Sequence, residues 1–124
     1  MAAGKLDIYI EQGSSFNYKL TFKDSLGAPI DLTGQTFAGQ IRRGAGDPTI
    51  IATFTCGILN QITNTGEMTF SLTAAQTSLI PLEPLSEPAK VTTQFAYDLE
   101  RTLPGGTVER VIEGLATVSP EVTV

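Results

Sequence analysis

Histidine is missing from this chain of 124 residues. Its absence removes the commonest general base and metal ligand, and with them His-dependent triads and His-ligated zinc. The single cysteine, Cys56, cannot form an internal disulfide. At the end of the apolar run Ile50 to Thr55 it reads as a small half-buried filler, not a nucleophile. Lysine and arginine together number 8 against 13 acids, a net charge of -5. That balance argues against nucleic acid as a direct partner, because affinity for a phosphate backbone comes from clustered cations. The one adjacent cation pair, Arg42 and Arg43, falls at a predicted strand end and reads as a solvated loop rim. No apolar run approaches the roughly 18 residues of a membrane span, and the opening MAAGKLD has no signal-peptide core. The expected product is soluble, made in a cytosol, and has no membrane partner.

What is present is the material of one folded domain. The hydrophobic fraction is 41% and the charged fraction 17%, the latter below the roughly 25% of an average globular surface. The surface is therefore expected to be rich in Thr, Ser, Gln and Gly, and covered in part by partners. Apolar residues recur with period two, the mark of half-buried antiparallel strands: Leu6, Ile8, Ile10; then Phe16, Tyr18, Leu20, Phe22; then Phe37, Gly39, Ile41; then Met68, Phe70, Leu72; then Phe95, Tyr97, Leu99. Turn chemistry separates them at EQGSS (11 to 15), at 24 to 29, at DLTG (31 to 34), at 44 to 48 and at LPGG (103 to 106). Residues 49 to 55 read as one further strand and Thr107 to Val118 as a long last one, bulged at Gly114. A short helix is expected from Thr73 to Leu79, capped by its threonine. Prolines 81, 84 and 88 predict an extended loop without ladders.

Seven strands with one helical turn predict an all-β, immunoglobulin-like antiparallel sandwich over residues 1–118, followed by an extension, 119–124. An up-and-down barrel is the alternative. In the sandwich reading Tyr97 sits where a tyrosine corner belongs, with Leu99 in place of the second cysteine.

Candidate chemistry is sparse. Asp98 and Glu100 would face outward between Tyr97 and Leu99, as a solvated acidic stripe paired with Arg110 or Lys90; Glu109 and Glu113 are a second carboxylate pair. Gly44 to Asp47 has no phosphate-binding Lys-Ser/Thr and no following helix. Asp24, Asp31 and Asp47 lack the spacing of a dedicated calcium loop. The nine aromatics fall mostly on inward phases, as core and not as a sugar or base platform. No catalytic residue, cofactor or metal site is expected. The closing VSPEVTV, 118 to 124, stays β-type and suits strand addition to a neighbour.

The stretches MAAGKLDIYIEQGSSF (1–16), APIDLTGQTFAGQIRR (28–43), GEMTFSLTAAQTSLI (66–80), YDLE (97–100) and VERVIEGLATVSPEVT (108–123) together resemble a family of small structural proteins of tailed bacteriophages. They are similar also to the amino-terminal domain of phage baseplate upper proteins. The resemblance is collinear over nearly the whole chain, and no coiled coil or fibre is expected after Val124. It implies a non-enzymatic virion protein, present in multiple copies, that joins other virion proteins: an adaptor of tail or baseplate attaching fibres or spikes, or alternatively a capsid decoration or neck protein. A host-carbohydrate-binding module is the reading from another class. Leu6, Ile8, Ile10, Arg42, Arg43, Glu121, Val122 and Val124 are the candidate assembly interface.

Overall fold

A computed structural model describes residues 3–82, 84–86, 89–90 and 92–121. Two sheets face each other. The first carries β1 (Gly4–Lys5), β2 (Ile8–Glu11), β4 (Thr36–Arg42), β5 (Ala52–Thr53), β10 (Thr93–Thr102) and β11 (Val108–Ser119), in the order β1/β2, β11, β10, β4, β5. The second holds β3 (Phe16–Thr21), β7 (Glu67–Leu72) and β6 (Thr55–Ile58), in the order β3, β7, β6. β10 is antiparallel to β4 and β11, whereas β1 and β2 run parallel to β11. This is the order of an immunoglobulin-like sandwich, with the first strand laid on the sheet of β11 and, among the described residues, none beside the outer side of β3. The helix α1 (Ala74–Ser78) intervenes between β7 and β10, its Thr73 and Gln76 closing a reciprocal capping box.

Alternation along the strands builds the core. Ile8, Ile10, Ile41, Met68, Phe70, Phe95, Leu99 and Val118 are buried between the sheets, each such side chain worth about 1.5 to 3 kcal/mol of burial. At the centre Phe70 meets Phe54 edge-on at 5.0 Å and Phe16 at 5.8 Å, and Tyr97 stacks on it at 6.3 Å.

Four expectations are corrected. Residues 49 to 55 do not form one strand: β5 pairs with β4 and β6 with β7, and the chain changes sheets at Phe54. The amide of Phe54 donates to the Gly39 carbonyl at 2.9 Å, so the buried ring marks the crossing. The bulge of β11 lies at Val111, because the register steps from Leu99 opposite Ile112 to Glu100 opposite Arg110. Gly114 instead lies against the Leu6 backbone. The proline-rich stretch does contain a ladder, β8 (Pro84–Ser86) with β9 (Ala89–Lys90); a proline at the first residue of a strand removes no needed donor. Finally, Tyr97 forms no tyrosine corner, since its hydroxyl bonds far from the upstream loop.

Candidate functional site

Leu6 gives its amide to the Glu113 carbonyl at 3.0 Å, as a parallel ladder requires. The next bond of that ladder is then replaced. The Leu115 amide donates to Oδ1 of Asp7 at 3.0 Å, and the Leu6 carbonyl accepts from the Tyr97 hydroxyl. An acid side chain thus stands in for a backbone carbonyl and frees that carbonyl for a buried phenol. Burial, with the Asp7 carboxylate as a lesser cause, pushes the Tyr97 hydroxyl well above the ordinary tyrosine range.

The turn after β2 is tied down from the helix. Thr77, fully buried, accepts from the Gly13 amide at 3.0 Å and donates to the Ser14 carbonyl at 2.9 Å. The side chain of Gln12 donates to the Ile80 carbonyl at 3.1 Å and accepts from the Glu121 amide at 3.1 Å. At the other end of the sandwich Gln61 accepts from the amides of Leu32 and Gly66, both at 2.9 Å. Sequence reading passed over Asp7, Gln61 and Thr77. Only Thr77 left a signal, lying one helical turn after the capping Thr73.

Of the candidate interface residues, Ile8 and Ile10 are 1% exposed each, so their side chains serve the core and cannot dock a partner. Leu6 is half-buried against the same core. Arg42, Arg43 and Glu121 come to one end of the sandwich, where β4 and β11 finish and β3 begins, but on strands that are not neighbours. Arg42 donates to the Asp47 carbonyl at 2.7 Å and to Gln40 at 2.9 Å; the Arg43 guanidinium stands 5.8 Å from the Phe95 ring centre. Val122 and Val124 lie outside the described residues.

A concavity of about 520 Å³ opens on the outer face of the first sheet, between the Gly44–Gly46 loop and β11. Its charges are balanced. Arg110 lies 3.3 Å from Asp98 and 3.9 Å from Glu113, and Lys5 lies 3.1 Å from Glu113. Asp98 and Glu113 face each other across the ladder and share that one guanidinium; of the expected stripe of Asp98 and Glu100, Arg110 takes Asp98. Glu109 is held separately, 2.8 Å from Arg101. Each aspartate weighed for calcium closes its own turn: Asp24 accepts from Leu26 and Ala28, Asp31 from Thr33, and Asp47 from Thr49. The Thr33 hydroxyl and amide hold the Asp31 carboxyl below its usual range. Burial pushes the Cys56 thiol up to about 11, away from reactivity at neutral pH.

Eight of the nine aromatics are in the core or packed against it, leaving Tyr9, 72% exposed on the outer face of β2. Two sheet edges run along this side. In the first sheet no strand pairs the outer side of β1 and β2, and in the second none pairs that of β3, among the described residues.

No family model matches the chain, and no curated protein does. Among solved structures, that of murine CRIg is similar over 93% of this chain and 92% of its own, at 6% identity and a TM-score of 0.41. The immunoglobulin-like assignment stands on the strand order itself.

Proposed function

We propose that this chain is a non-enzymatic structural protein of a bacteriophage virion, an adaptor in the tail or baseplate that joins its neighbours through strand edges. The observation that carries the reading is the edge of residues 4–11, unpaired among the described residues, a row of backbone groups laid over a buried core. A sheet edge of this length offers hydrogen bonds to any extended partner, and a monomer ordinarily blunts it with charged side chains, proline, a bulge or a covering loop; residues 4–11 carry the charges of Lys5, Asp7 and Glu11 but no proline. Edge pairing draws affinity from the main chain and leaves the buried side chains undisturbed. The family resemblance points the same way: its motifs fall here on the Gly34 turn, the capped α1 and the Tyr97–Leu99 core, all elements of architecture.

The test is particle composition. Mass spectrometry of purified virions of the encoding phage should find the chain in fixed stoichiometry with tail or baseplate proteins. Co-purification with capsids lacking tails would move it to the head, and absence from all particles would sink the reading.

A further inference from the structure

We propose that the edge of residues 4–11 pairs antiparallel with the same edge of a second copy of this chain, in a single register fixed by its charges. The inference rests on reading this edge as a joint, and names what occupies it.

The edge is continuous. β1 and β2 keep one offset against β11, Gly4 opposite Ile112 and Ile8 opposite Ala116, so the gap at Leu6 and Asp7 does not shift the strand. The amides of Leu6 and Gln12 both donate toward β11. By ladder alternation the even residues face β11, and Lys5, Asp7, Tyr9 and Glu11 turn backbone groups to solvent. The carbonyls of Lys5, Asp7 and Tyr9 and the amides of Tyr9 and Glu11 have no partner among the described residues; the Glu11 carbonyl accepts from Ser14. No proline interrupts residues 4–11.

The charges select a partner. When this edge meets itself antiparallel, odd residues face odd residues. One register sets Lys5, an exposed side chain 3.1 Å from Glu113 in the single copy, opposite Glu11 of the second copy and Asp7 opposite its Tyr9, with Ile8 on the twofold axis. Sliding by two residues in either direction sets Asp7 opposite Glu11, or Asp7 opposite Asp7, and like charges directly opposite are destabilising. Symmetry doubles each favourable pair. The two Tyr9 rings become diagonal neighbours on the outer face, within reach of each other. The other free edge offers no such match. Lys19 is the one charged residue of β3, so that edge holds no two opposite charges to pair, and the register pairing Asn17 with Thr21 would set Lys19 against Lys19.

Sedimentation velocity on the isolated chain should show a reversible dimer. Lys5→Glu and Glu11→Lys should each weaken it about tenfold, and the double variant should return to within about threefold of the parent. Both positions are exposed, and the Lys5–Glu113 pair that Lys5→Glu removes is a surface one of small effect on stability, so circular dichroism should not change. A second arm serves if the dimer is weak. In a Cys56→Ser background, Lys5→Cys with Glu11→Cys should oxidise to a covalent dimer, since facing hydrogen-bonded residues have Cα atoms about 5.5 Å apart. Either cysteine alone should not, because each lies about 20 Å from its own copy. A monomer at every concentration with no 5-to-11 cross-link overturns the proposal, as does a dimer indifferent to both charge reversals. Neither result alters whether the chain is found in virions, so the two readings fail separately.

Discussion

The Tyr97 hydroxyl reaches the Leu6 carbonyl, 2.5 Å away and 91 residues earlier in the chain, by passing over Gly114. Gly114 is the ladder partner of Tyr97, and a Cβ built on it would stand 2.0 Å from the Leu6 oxygen. A glycine at this point lets the first strand bow inward and dock. The bond therefore joins the core to the strand proposed as the assembly edge.

Gly114→Ala should force the Leu6 backbone away and destabilise the fold by about 2 to 3 kcal/mol, the cost of overpacking against rigid main chain. Gly57→Ala is the control. Nothing lies within 4 Å of a Cβ there, so the change should be neutral or stabilising by up to about 1 kcal/mol. Urea denaturation of the two variants tests the pair, and equal losses would contradict this account of Gly114.

Tyr97→Phe leaves the ring and orphans the Leu6 carbonyl, and should cost about 1 to 2 kcal/mol; Tyr97→Ala empties the aromatic site and should cost about 3 to 5 kcal/mol. The hydroxyl also gives stability a pH dependence. Its folded pKa is raised above the unfolded value of about 10, so the folded state holds the proton more tightly. That contribution is complete below pH 10 or so and is lost as pH rises beyond it. Stability curves at alkaline pH should fall less steeply for Tyr97→Phe than for the parent, and parallel curves would show the phenol uninvolved.

Thr77→Val keeps the volume but deprives the Gly13 amide and Ser14 carbonyl of their partner. A loss of about 2 to 3 kcal/mol is expected, with faster hydrogen exchange in residues 12–15. If stability fell while exchange there stayed slow, Thr77 would not be what holds this turn.

Gln61→Ala removes the acceptor of two amides on different segments, Leu32 and Gly66. It should cost about 2 to 3 kcal/mol as measured by thermal melting, and more than Gln35→Ala, because the buried Oε1 of Gln35 accepts no hydrogen bond among the described residues.

Much of the architecture is legible in the sequence because period-two alternation reports burial directly. Phe95, Tyr97 and Leu99 fall inward as read, and so do Met68, Phe70 and Leu72. Alternation does not report which sheet a strand joins, so the passage of residues 49 to 55 from one sheet to the other stays hidden until Phe54 is seen between them. It is equally silent about bonds between distant residues. Gly114 breaks the apolar phase, which a bulge would explain as well as a close approach would; only the position of Leu6 decides. The candidate interface shows the same limit. Ile8 and Ile10 mark the right strand, but an apolar phase names the face turned inward, and the surface left for a partner is that of Lys5, Asp7, Tyr9 and Glu11.

The most direct measurement is a cryo-EM map of the assembled virion. The account predicts this sandwich in several symmetry-related copies at the tail or baseplate, with the edge of residues 4–11 continuous with a strand of a neighbouring subunit. A virion without the chain, or one holding it with that edge open to solvent, would contradict it.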